Sequence, residues 1–207
     1  MTDAPDHPAP QVVILGGAPG TGKTTLAVPL ARALGLPLLA KDAIKERLLD
    51  AFDATDIAVS QRVGGAGWEL LYAMADWLLD AGTGFVIEGN FEARAVPRLR
   101  ALARRATAIQ LICRCADELS RARYARRAGS ADRHPGHFDL ARLAQGVRPG
   151  EAFGPFDLGV PTLVVDTTSD LRPAFDEIVR FARAASGVPR GGRVTLPDGR
   201  ATAGGSG

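Results

Sequence analysis

The sequence predicts an α/β fold in which a parallel sheet is covered by helices on both faces. Short apolar, β-branched runs alternate with stretches of helical period, and strands separated by helices require the crossover connections of a parallel sheet. Size and composition agree. The chain has 207 residues, 46% of them hydrophobic and 23% charged. That suffices for one core burying about 70% of the unfolded surface with no disulfide or structural metal. Collagen-like, coiled-coil and mostly disordered classes are excluded.

Residues 1–10, MTDAPDHPAP, lack the positive start and apolar stretch of a secretory signal and read as a disordered leader. The domain is expected over 11–185. Val12 to Leu15 form the first strand, and residues 23–34 repeat Leu26, Leu30 and Leu34 at helical spacing, with Pro29 predicting a kink. Pro37 to Ala40 make a second strand, after which Asp42 is placed to cap a helix over 43–52. A longer helix is expected over 67–81, with Trp68 and Trp77 in the core. Phe85 to Ile87, Ile109 to Cys113 and Thr162 to Val165 complete five strands, with helices near 95–105, 116–128 and 171–185. Residues 186–207 read as a mobile Gly-, Pro- and Arg-rich tail with a possible hairpin at Asp198-Gly199. No segment approaches the roughly 18 apolar residues of a membrane helix. Cys113 and Cys115 are two apart in an apolar run of alternating side chains; a mutual disulfide is not expected and a reduced, cytoplasmic setting is favoured.

The net charge of +2 is unevenly placed: residues 94–148 hold thirteen arginines against four acids. Such a block suits an anionic ligand, whether nucleotide, phosphorylated substrate or nucleic acid, or else forms a solvated helix face. Arginines number 22 and lysines three, and Lys23, Lys41 and Lys45 all fall in one short window. These positions are candidates for a compact ammonium rather than a planar fork.

The most specific motif is Gly17-Ala18-Pro19-Gly20-Thr21-Gly22-Lys23-Thr24, followed by Thr25. It fits G-x-x-x-x-G-K-[ST] directly after the first strand. Glycines let successive N–H groups converge on phosphate oxygens at the positive end of the next helix. Lys23 is placed to reach the β- and γ-phosphates and the Thr24 hydroxyl to ligate Mg²⁺. ATP and Mg²⁺ are the expected ligands. A guanine-reading N-K-x-D, a D-x-x-G switch and an hhhhDE strand are not found, which leaves the small phosphotransferase type.

In an open parallel sheet the crevice lies beyond the carboxyl ends of the strands. The second strand delivers Lys41-Asp42-Ala43-Ile44-Lys45 there and the third Glu88-Gly89-Asn90-Phe91. Asp42 and Lys45 share a helix face and suit orientation of a hydroxyl for attack on a γ-phosphate; a plain helix cap is the other reading of Asp42. Glu88 is a candidate for the Mg²⁺ water shell or a substrate hydroxyl, or a buried carboxylate paired with Arg. Asn90, Arg94 and Arg98 are further substrate candidates, and Asp166 is expected to shape a turn beside the adenine pocket.

With the loop, KDAIKERL, VIEGNF, RARYARR and RHPGH segments in hand, the sequence over residues 11–183 resembles small P-loop kinases related to zeta toxins, chloramphenicol phosphotransferase and polynucleotide 5′-kinases, predicted kinases of AAA type. The resemblance implies a three-layer P-loop NTPase fold with sheet order 2-3-1-4-5. It also implies Asp42 as base for the acceptor hydroxyl and an Arg-rich helical lid, about 120–148, closing over ATP.

Lid candidates are Arg121, Arg123, Arg126, Arg127 and Arg133, with Arg126 and Arg127 favoured for the phosphates. His134-Pro135-Gly136-His137 is read as a lid turn near Asp132 or Asp139, because zinc wants four ligands that this segment lacks. The leading expectation is a kinase acting on a hydroxyl of a sugar, nucleoside or antibiotic-like molecule. A nucleic acid 5′-hydroxyl kinase is the second reading and an NTP-binding regulatory module with slow hydrolysis the third. Oligomeric state is not legible.

Overall fold

The computed structural model describes residues 9–52, 56–131, 133–144, 146 and 150–185. The expectations for the leader through residue 8, for Asp132 and for the tail after 185 lie outside them. Strands β1 (Gln11–Gly17), β2 (Leu38–Ala40), β3 (Phe85–Glu88), β4 (Thr107–Arg114) and β5 (Thr162–Asp166) alternate with helices α1 (Lys23–Leu34), α2 (Lys41–Ala51), α3 (Ile57–Asp80), α4 (Val96–Arg104), α5 (Asp117–Ala128), α6 (Asp139–Ala144) and α7 (Phe175–Ala185). The five strands form one parallel sheet in the order β2-β3-β1-β4-β5, the expected P-loop NTPase arrangement.

Alternation along β1 builds the three layers, because successive side chains leave a strand on opposite faces. Val12 and Ile14 enter a core with Leu71 and Leu79 of α3 and Leu99 and Leu102 of α4. Val13 and Leu15 enter the other with Leu26 and Leu30 of α1 and Ile178 and Ala182 of α7. Both cysteines are free. Among the described residues no helix is long and apolar enough to cross a membrane.

Helix α3 corrects the expected 67–81 boundary. It begins at Ile57, where the Asp56 carboxylate accepts from Val59 N at 2.8 Å, and runs on through Gly64, Gly65 and Gly67. A good cap and a buried stripe at Ser60, Val63, Gly67, Leu71, Ala75 and Leu79 outweigh the cost of about 1 kcal/mol per interior glycine. Trp77 is a second correction: it lies off that stripe and is 62% exposed. Trp68 does pack partly against the core.

Candidate functional site

The phosphate loop follows β1 as the motif requires. Gly17, Gly20 and Gly22 all have positive φ, and at Gly20 (φ +83) a Cβ would lie only 2.1 Å from the Ser120 carbonyl oxygen. The backbone of α5 therefore bears directly on the loop. Within the loop, Thr21 Oγ1 and Lys23 Nζ both donate to the Ala18 carbonyl oxygen, at 2.8 and 2.7 Å. Thr167 Oγ1, just past β5, lies 2.9 Å from the Thr21 carbonyl oxygen and 3.0 Å from that of Arg114. The ends of β4 and β5 are thereby pinned to the loop. Thr24 and Thr25 stand exposed on the first turn of α1. Lys23 is buried, and burial lowers its pKa against the pull of Glu88, Cys113 and Asp42.

The start of α2 differs from expectation. Ala40 occupies the cap position with no side-chain cap bond, so Asp42 is a first-turn residue and not the N-cap. The chain enters the helix directly from the strand, two residues earlier than a cap at Asp42 requires. Its carboxylate faces two cations instead, Lys41 Nζ and Arg133, each at 3.5 Å. Burial would raise the Asp42 pKa, but Lys41, His137, Arg133 and Arg127 outweigh it and hold the carboxyl well below the usual carboxylate range. Lys45 is buried on the next turn, its Nζ donating to Ser60 Oγ at 2.9 Å. At the end of β3, Glu88 is also buried; burial, and secondarily Asp42, raise its pKa while Lys23 opposes them.

The arginines of the expected lid separate by position. Arg121 and Arg126 are exposed and Arg127 is half-buried. The Arg127 guanidinium lies 5.6 Å from the Tyr124 ring centre, its buried Nε has no hydrogen-bond partner, and its charge acts on Lys23, Asp42 and Glu88. Arg123 instead donates to the Thr167 and Thr168 carbonyl oxygens at 2.9 and 3.1 Å, a tether to the turn after β5. There Asp166 accepts from Thr168 N at 2.8 Å, as a turn-shaping residue should. Arg133 turns to the carboxylates of Asp42, Glu46 and Asp139. No cluster of three or more His, Cys, Asp or Glu suited to a metal occurs among the described residues.

A cleft of about 940 Å³ opens beside these groups, lined by Pro19 of the loop, Lys41 and Lys45 of α2, Asn90, Arg94 and Arg98 after β3, and Tyr124 of α5. Arg94 is exposed and pairs with Glu92 at 3.7 Å, whereas Arg98 pairs with Asp76 and lies over the Tyr72 ring. Sequence reasoning missed the α3 wall: Gln61, Gly64, Gly65, Trp68, Glu69 and Tyr72. Its signal was the run Gly64-Gly65-Ala66-Gly67 inside a helical pattern. Gly67 lets α3 approach Lys45 of α2, and at Gly65 a Cβ would meet nothing within 4 Å. Trp68 stacks with Tyr72 and lies under Lys41 Nζ at 5.6 Å.

An AAA domain family model matches residues 12–148. A crystal structure described as a candidate kinase from Chloroflexus aurantiacus is 35% identical over 86% of this chain and 98% of that one, with TM-score 0.72. A sugar kinase from a Janibacter species and a gluconokinase from Sinorhizobium meliloti, each 21% identical over 86% of this chain, cover 94% and 91% of their own chains with TM-scores of 0.51 and 0.50. They share the fold. No curated protein matches the chain significantly.

Proposed function

The chain belongs to the AAA domain family, and from that premise we propose that it is a small P-loop kinase moving the γ-phosphate of ATP to a hydroxyl of a small molecule. One observation carries the reading. A single cleft is walled at once by Pro19 of the phosphate loop, by Lys41 beside Asp42, and by Tyr124 beside Arg127. That the phosphate loop, the start of α2 and the lid helix border one cleft supports the reading.

Each residue then has a task that follows from its position. The loop N–H groups and Lys23 hold the β- and γ-phosphates, and the glycine cradle with Lys23 beside it fits a nucleotide. The exposed Thr24 hydroxyl would hold Mg²⁺, with Glu88 available to its water shell; the ion supplies neutralisation of phosphate charge. Arg127, with an unused Nε, meets charge on the transferring group. Asp42 is ionised and strongly paired, hence a weak base, which suits a group that orients the acceptor hydroxyl and takes its proton late. Lys45, Asn90 and Arg94 are assigned to the acceptor, with Trp68 as a flat apolar surface.

The small-molecule reading is favoured over nucleic acid because, among the described residues, much of the basic block is engaged within the molecule. Arg98 and Arg105 pair with Asp76 and Asp80, Arg100 with Asp157, Arg114 with the Gly154 carbonyl, and Arg133 with three acids. Those arginines already have partners, which argues against their forming a phosphate-backbone stripe.

The test is a screen of hydroxylated metabolites and oligonucleotide 5′ ends for uptake of label from γ-labelled ATP, with phosphate release measured alongside. Uptake by a small alcohol supports the reading. Uptake by oligonucleotide ends alone, or phosphate release with no acceptor labelled, replaces it with the nucleic acid kinase or the regulatory NTPase.

A further inference from the structure

The RHPGH turn is absorbed by none of the roles above. On α2, Asp42, Glu46 and Asp50 recur every four residues and so form one acidic stripe. Three basic side chains of the turn dock along it. His134 Nε2 lies 2.9 Å from Asp50 and His137 Nε2 2.9 Å from Glu46. Arg133 reaches Glu46 at 3.2 Å and Asp42 at 3.5 Å through one nitrogen. Because His134 Nδ1 accepts from Gly136 N at 3.1 Å, its Nε2 carries the proton and donates to Asp50. A Cβ on Gly136 would lie 3.2 Å from Leu49 of α2, so the turn sits close against that helix.

Arg133 is itself held from behind. Its Nε donates to Asp139 Oδ2 at 2.6 Å, and Asp139 Oδ1 accepts from the Tyr124 hydroxyl at 2.6 Å. Tyr124 is the α5 residue whose ring underlies Arg127. A continuous series of contacts therefore runs from Arg127, assigned above to the phosphates, through Tyr124, Asp139 and Arg133 to Asp42, assigned above to the acceptor. Arg133 is only 10% exposed along its side chain, and its planar fork fits several carboxylates at fixed angles, which a lysine cannot reproduce.

We propose that Arg133 is a positioning residue for Asp42, aimed by Asp139 and Glu46 so that the carboxylate keeps one orientation toward the acceptor, and that Tyr124 ties this geometry to the lid helix bearing Arg127. The proposal rests on the acceptor-orienting role given to Asp42 above. A shift of α5 is then passed through Tyr124, Asp139 and Arg133 to Asp42.

The test reads Asp42 directly and needs neither nucleotide nor acceptor. Three-bond couplings to the Asp42 β-protons report its χ1 distribution in wild type, Arg133→Lys and Asp139→Asn, each checked for a native amide spectrum. Wild type should occupy one staggered well; both variants should spread over a mixture of about three. Arg133→Lys keeps the charge and loses the fork, so spreading there separates orientation from charge, and Asp139→Asn acts on Asp42 through Arg133. Asp42 staying in one well in both variants overturns the proposal and leaves the turn as packing alone. A failed acceptor screen would instead remove hydroxyl transfer and leave the coupling result standing.

Discussion

Replacing Gly20 by alanine probes the contact between the phosphate loop and α5. The perturbation has two parts. A left-handed backbone at φ +83 costs a residue with a Cβ about 1–2 kcal/mol. The new Cβ would also sit 2.1 Å from the Ser120 carbonyl oxygen, and moving it past 3.0 Å displaces α5 or the loop by about 1 Å. Crowding of that kind adds about 1–3 kcal/mol. Gly35→Ala is the control, because Gly35 has φ +67 with nothing within 4 Å and isolates the backbone penalty. Urea unfolding with and without Mg-ATP separates the effects. At a ligand concentration of 100 Kd, binding should stabilise wild type and Gly35→Ala by about 2.7 kcal/mol. Gly20→Ala should be the less stable variant by about 1–3 kcal/mol and should lose most of the ATP increment, since Arg127 moves with α5. Equal stability of the two variants with equal ATP increments would refute the claim that α5 bears on the loop.

Asp42→Asn should retain ATP binding by calorimetry while transfer to the acceptor falls by about 10² or more; undiminished transfer removes Asp42 from the chemistry. Gly65→Leu fills open space on α3, so it should raise the urea midpoint through a helix-propensity gain of about 0.5–1 kcal/mol. The same change should raise the acceptor KM about tenfold or more without changing that for ATP. His137 is pushed down to about 4, first by burial and then by Arg133 and Lys45, against Asp42 and Glu46. Its unfolded value is near 6.5, so the unfolded chain binds the proton more readily. The stabilising contribution is therefore complete above pH 6.5 and is lost as pH falls toward 4. His137→Gln should flatten the slope of the urea midpoint across that window; an unchanged slope contradicts the assignment.

The loop, the five strands and the polar strand ends at Asp42 and Glu88 were legible because their signals are local: a motif of eight residues, a period of two, a strand followed by a turn. The start of α3 was misread since its three glycines resemble punctuation, although Asp56 three residues before Val59 offered a cap. Trp77 was misplaced because a tryptophan at helical spacing belongs to the core only when its face does. The docking of the RHPGH turn joins residues 84 to 91 positions apart, a separation that no local pattern reaches. Its one visible trace was the four-residue spacing of Asp42, Glu46 and Asp50. Arg133, grouped with the phosphate-facing arginines by its neighbours in sequence, is carried by the turn to α2 instead.

Helix α2 carries two sets of contacts: Lys41 and Lys45 line the cleft, and Asp42, Glu46 and Asp50 carry the turn, with Asp42 also beside Lys41. A lineage that acquires a new acceptor by altering α2 therefore disturbs the docking of the RHPGH turn in the same step. Among the described residues, Gln61, Gly65 and Trp68 of α3 line the same cleft and take no part in those ionic ties. Diversification of acceptor use is thus expected to run through α3, with α2 held nearly constant as relatives diverge.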